Sequence, residues 1–209
     1  MTVLTITEGP LLWYLNRASG LSLMIVLSAS VVLGVLARGG RTGGDGGARV
    51  PRFVTQSLHR NLALGGMLLL LAHIATAVVD EYVDIRWADA LLPWGSAYEP
   101  WWVALGTIAS DLFLVVTLTS ALRLRLGHRA WKTIHLASWL AWGVGVAHGI
   151  GIGTDLRDQQ DWVAWSVLPT IVCVLAVLAA LGWRLDERRR GPRDAAVAPT
   201  TTSREAVHR

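Results

Sequence analysis

Cysteine is nearly absent. Cys173 is the single thiol among 209 residues, and it falls inside an apolar run. One thiol excludes an intrachain disulfide and a cysteine-rich metal site. No CxxCH occurs, which excludes covalent attachment of a c-type haem. Charge is scarce too, at 16% of residues against 53% hydrophobic. Such a composition suits a membrane protein whose polar residues lie in loops. The first ten residues, "MTVLTITEGP", lack a basic region and a small-residue cleavage site, so no cleaved signal peptide is expected. No GxGxxG follows a strand pattern, and no nucleic-acid partner is expected.

What the chain does have is long apolar runs. A bilayer crossing needs about 20 such residues. Five stretches qualify, approximately Leu11 to Ala37, Gln56 to Val79, Trp101 to Leu124, Ala130 to Ile152 and Trp162 to Leu185. The expected fold is all-α: an integral membrane bundle of five helices. Residues 1–10 form a short external N-terminus, 11–185 the membrane domain, and 186–209 a cytoplasmic tail without apolar periodicity, expected to be disordered. The Gly-rich "RGGRTGGDGGARVPR" joins the first two spans as a loop.

Net charge is +4, from 19 Lys and Arg against 15 Asp and Glu, and its placement matters more than its sum. Arg38, Arg41, Arg49 and Arg52 follow span one, and Arg123, Arg125, Arg129 and Lys132 follow span three. Arg188, Arg189 and Arg190 open the tail. Acids dominate the other loops, with Asp80, Glu81, Asp84, Asp89 and Glu99 after span two and Asp155, Asp158 and Asp161 after span four. The positive-inside rule therefore predicts the N-terminus outside and the C-terminus inside. Trp13, Trp87, Trp94, Trp101, Trp102, Trp162 and Trp165 fall near the expected outer ends, as an interfacial aromatic belt would.

Against this apolar background the histidines stand out. Span two carries His59 and His73, fourteen residues apart. That spacing puts them about 21 Å apart along the helix, on one face. Span four carries His135 and His148. Both spans run outward, so His59 matches His135 in depth on the inner side and His73 matches His148 on the outer side. A haem iron takes two axial ligands, and neutral imidazole is a common one. Two parallel helices with matched histidines can hold two haems, one above the other. The alternatives are polar residues hydrogen-bonded within a bundle, or a zinc or copper site. No carboxylate or thiolate is placed to complete the latter's coordination shell. The spacing of thirteen between His135 and His148 leaves them roughly 140° apart in an ideal helix. Gly143, Gly145 and Gly149 offer a place for a local distortion.

The stretches "LHRNLALGGMLLLLAH" in span two and "RAWKTIHLASWLAWGVGVAHG" in span four resemble the ferric reductase-like transmembrane domain. That domain is shared by NADPH oxidases, ferric reductases and the haem subunit of the bacterial methionine sulfoxide reductase system. "WYLNRASGLSLMIVL" in span one and "GTD" after span four are similar to its small bacterial members, so the likeness covers about residues 10 to 185. The chain departs from the family in lacking a flavin or nicotinamide domain and in having five spans rather than six. The resemblance implies two b-type haems on His59, His73, His135 and His148. It also implies a place in the bacterial cytoplasmic membrane and outward electron flow. The donor would be a cytoplasmic flavoprotein reductase or a quinol, with FMN or quinone supplied through that partner. The acceptor would be external, such as ferric iron or a flavin protein.

Other polar residues lie in the spans. Arg17 is placed to meet an outer haem propionate or to snorkel to the interface. Asp111, with Ser110 and Thr107 nearby, is placed to relay protons, answer Arg17 or make a structural hydrogen bond. Trp142, seven residues after His135, falls between the two haem levels, where it would fill the space between porphyrins or simply pack. His128 and His208 receive no role. The reading that combines these features is a transmembrane cytochrome b. A haem-free proton-coupled transporter and a haem-containing anchor subunit are its rivals.

Overall fold

The computed structural model describes residues 10–37, 51–81, 83–153 and 166–197. Its elements are α1 (Pro10–Leu36), α2 (Arg52–Val79), a 3₁₀ turn (Trp87–Ala90), α3 (Pro100–Ala121), α4 (His128–Ile152) and α5 (Val167–Val197). Helix is the form these runs must take in lipid, because every backbone N–H and C=O is then satisfied within its own segment. Proline marks two starts, Pro10 opening α1 and Pro100 opening α3, where the missing N–H costs nothing.

Four helices are long and apolar enough to cross a membrane: Leu11–Leu36, Phe53–Val79, Pro100–Ala121 and Val167–Arg189. The chain is a multi-pass membrane bundle on that ground. α4 has 25 residues, enough length for a crossing, but with His128, Arg129, Lys132, His135 and His148 it is not among these four. The fifth expected span, Trp162 to Leu185, is described as helix from Val167, and residues 154–165 lie outside the described set. Its helix ends later than the pattern suggested. α5 runs on to Val197, so the disorder expected from Asp186 is corrected to helix over that part. Glu, Arg and Ala there are good helix formers, and they extend a helix already nucleated in the apolar part.

α1 packs along α2 and along α5, and α3 packs along α4. Close approach between the α1–α2 pair and the α3–α4 pair is much sparser. Large leucines face outward, among them Leu64, Leu68 and Leu71 on α2. Small and polar residues such as Ser28, Ser30, Ala104 and Thr107 are buried. This arrangement suits a bilayer, where lipid is as apolar as leucine and small residues let helices approach. Arg184 of α5 donates to the carbonyl of Val35, 3.2 Å away, and so caps one of the unpaired carbonyls in the last turn of α1.

Between α2 and α3 the chain folds back over the bundle end. Asp89 is buried there and accepts from the Arg86 backbone N–H at 2.9 Å. Thr107 of α3 donates to the Asp89 carbonyl at 2.7 Å. Trp94 and Glu99 take positive φ values of 67° and 41°, which tighten the turns on either side of Ser96. Trp13, Trp87, Trp94 and Trp101 are exposed at this same end.

Candidate functional site

α2 and α4 face each other through their histidines. The His59 and His135 rings have centroids 6.1 Å apart, and the His73 and His148 rings 6.4 Å apart. The depth pairing expected from the spacing is therefore the pairing found, and α2 and α4 run the same way. α4 stays helical from His128 to Ile152, so the pairing needs no break at Gly143, Gly145 or Gly149.

Each imidazole is anchored on its far side. His59 Nδ1 lies 2.9 Å from the Ser30 carbonyl and 3.0 Å from its hydroxyl. His73 Nδ1 lies 3.1 Å from the Asn16 carbonyl, and His148 Nδ1 lies 2.7 Å from the Trp102 carbonyl. A carbonyl only accepts, so in these residues Nδ1 carries the proton and Nε2 keeps a lone pair. Nε2 of His59, His73 and His148 has no hydrogen-bond partner among the described residues. His135 differs, because its Nδ1 faces the Ser120 hydroxyl at 3.3 Å and its ring stacks on Trp131. An imidazole that donates from one nitrogen to a carbonyl presents the other as an oriented metal ligand.

The sequence reading gave α1 and α3 no part in anchoring the histidines, yet they carry a matched set of small residues. A Cβ on Gly20 would sit 2.9 Å from His73 Cε1, and one on Gly106 would sit 2.7 Å from His148 Cε1. A Cβ on Gly34 would lie 3.5 Å from His59 Cε1. Each glycine comes four residues after the carbonyl that its histidine bonds: Asn16 and Gly20, Ser30 and Gly34, Trp102 and Gly106. In a helix that carbonyl points towards the residue one turn on, so a ring bonded to it lies over that residue's Cβ position. At Gly20 and Gly106 only glycine leaves the ring room, whereas a Cβ on Gly34 would make an ordinary contact. The fourth site has Ser120, which contacts the ring through its hydroxyl. Gly20 and Gly34 are fourteen apart, as are Gly106 and Ser120, the same interval as His59 and His73. That repeated interval was the signal available in the sequence.

Midway between the pairs, Trp142 Nε1–H donates to the buried Ser28 hydroxyl of α1 at 2.9 Å. Trp142 is thus fixed between the two levels, as its position suggested. Arg17 lies at the level of His73, one residue from Asn16, with its guanidinium 4.6 Å over the Trp13 ring. Asp111 does not answer Arg17: it pairs with no described residue, while Ser110 donates to the Thr107 carbonyl at 2.9 Å.

The pairs can be tested against a metal. A first-row metal sits about 2.0 Å from an imidazole nitrogen, with the ring centroid roughly 1.1 Å further back. Two rings on opposite sides of one metal then have centroids about 6.2 Å apart, close to the 6.1 and 6.4 Å found. Among the described residues no cluster of three or more His, Cys, Asp or Glu could hold an ion alone. Two imidazoles at each level, with the remaining ligands supplied by a macrocycle, would fit the residues present. A zinc or copper ion would find two protein ligands per site, too few for the usual shell. No family model, curated protein or solved structure matches this chain.

Proposed function

We propose that this chain is a b-type cytochrome that carries electrons across a bacterial cytoplasmic membrane through two bis-histidine haems. His59 and His135 hold the inner group, and His73 and His148 the outer. The observation that carries the reading is the geometry of the pairs: ring centroids 6.1 and 6.4 Å apart, with Nδ1 turned away towards helix partners. The resemblance of spans two and four to ferric reductase-like transmembrane domains supports it.

A bound haem supplies one-electron chemistry at iron. The chain's own residues hold, orient and insulate. Ser30, Asn16 and Trp102 fix the tautomer and ring direction of their histidines through Nδ1. Gly20 and Gly106 let α1 and α3 come close enough to His73 and His148 to make those bonds. Trp142 and Ser28 close the space between the two levels, and outward-facing leucines keep water away. Arg17 stands at the level of His73, where its guanidinium would pair with a carboxylate of a bound group. The same loop charges that set N-terminus out and C-terminus in put Arg123, Arg125, Arg129 and Lys132 beside the inner pair. A flavoprotein reductase or a quinol would deliver electrons there, with ferric iron or a flavin protein accepting them outside.

The test is a reduced-minus-oxidised absorbance spectrum of the purified wild type and of single histidine variants. The wild type is expected to show split b-type bands. His59→Ala and His135→Ala should each remove one component, and His73→Ala and His148→Ala the other. A colourless wild-type protein, isolated from cells supplied with haem, would overturn the reading in favour of the haem-free transporter.

A further inference from the structure

The lipid-facing stripe of α3 contains a carboxyl group. Asp111 is nine residues from Trp102 in one direction and from Ser120 in the other, and at ~100° per residue nine steps amount to half a turn. It therefore lies on the side of α3 away from the histidines. Leu114, Val115, Leu118 and Leu122 share its stripe and are 39, 48, 53 and 49% exposed. Asp111 is half-buried, about 16 Å along the helix from Pro100, which is mid-membrane depth. Nearby hydroxyls are engaged elsewhere: Thr107 with the Asp89 carbonyl, Ser110 with the Thr107 carbonyl, and Thr119 with the Val115 carbonyl. An ionisable side chain inside a membrane is costly, and such groups almost always face a partner rather than lipid.

We infer that this face of α3 docks a transmembrane helix of another membrane protein, one that brings a Lys or Arg side chain to the depth of Asp111. Charge complementarity selects that partner, since α3 supplies no cation before Arg123, beyond its end. A second copy is the poorer match, because a two-fold contact on this stripe would set Asp111 against its own image. The inference does not depend on the haem reading.

The test uses fluorescently labelled full-length protein in lipid vesicles with two synthetic membrane-spanning Leu–Ala peptides. One carries a central Lys, and the other Leu at that position. Energy transfer is expected to report association with the Lys peptide about tenfold tighter than with the Leu peptide, and Asp111→Leu should abolish the difference. Circular dichroism checks that this variant keeps its helix content, and Asp111→Asn serves as a second variant that should weaken the preference without adding apolar surface. Equal association with both peptides, or a preference that survives Asp111→Leu, overturns the proposal. Strong self-association of the wild type that Asp111→Leu removes would also overturn it, by assigning the face to a second copy.

Discussion

At the scale of the residue, the four histidines were legible and their seats were not. His59 and His73 announce themselves because an imidazole in an apolar run is rare and costly. A backbone carbonyl leaves no mark in a sequence, so Asn16, Ser30 and Trp102 gave no sign that they anchor rings. The glycines did leave a sign in their interval of fourteen, but glycine is common in membrane helices for many packing reasons. They now carry a sharp prediction. Gly106→Leu would drive a side chain into His148, whose Cε1 already lies 2.7 Å from the Cβ position. The variant should lose the outer haem and keep the inner one, as read from the difference spectrum. Retention of both would show that the ring has room to move. The ring planes within the pairs cross at 71° and 82°. Near-perpendicular axial imidazoles should give ferric low-spin EPR signals of strong anisotropy. Signals typical of parallel imidazole planes would contradict the observed ring orientations.

At the scale of the element, the five helices followed from apolar length, and the pairing of α2 with α4 followed from matched depths. What the pattern did not reveal was the division of labour, with α2 and α4 presenting the histidines while α1 and α3 anchor them. Contacts between helices far apart in sequence have no periodicity of their own. The tail was misread for a related reason, since a charged stretch was judged alone although α5 continues into it as far as Val197. Trp142 ties α4 to α1 through Ser28. Trp142→Phe should cost about 0.6 kcal/mol of unfolding free energy in detergent and leave haem content intact. Loss of haem would assign Trp142 a larger part than bracing. α4 alone of the five described helices is not among those apolar enough to cross by length and composition, so labelling on its two sides is the informative test. A reporter fused at the C-terminus should behave as cytoplasmic, and a tag at Asp158 should be labelled from outside. The reverse labelling would invert the inner and outer assignments.

At the scale of the whole molecule, the described residues form a helical bundle with no dinucleotide-binding unit, which would need strands and a Gly-rich turn at a helix N-terminus. Purified protein given NADH or NADPH should therefore stay oxidised, whereas a flavoprotein reductase or a reduced quinone analogue should reduce it. Arg125 and Arg129 are exposed at the expected inner end. If the donor docks there, stopped-flow rates should fall as salt rises, because a Debye length of about 10 Å at 0.1 M screens exposed charges. Charge reversal at both positions should slow reduction without changing the absorbance bands. All of this rests on the claim that each histidine pair holds one haem. The most direct measurement is the ratio of non-covalent haem b to protein in the purified wild-type chain, determined by pyridine haemochrome absorbance against quantitative amino-acid analysis. The expected result is two haems per chain. A ratio of one after saturation with haem, or none, would contradict it.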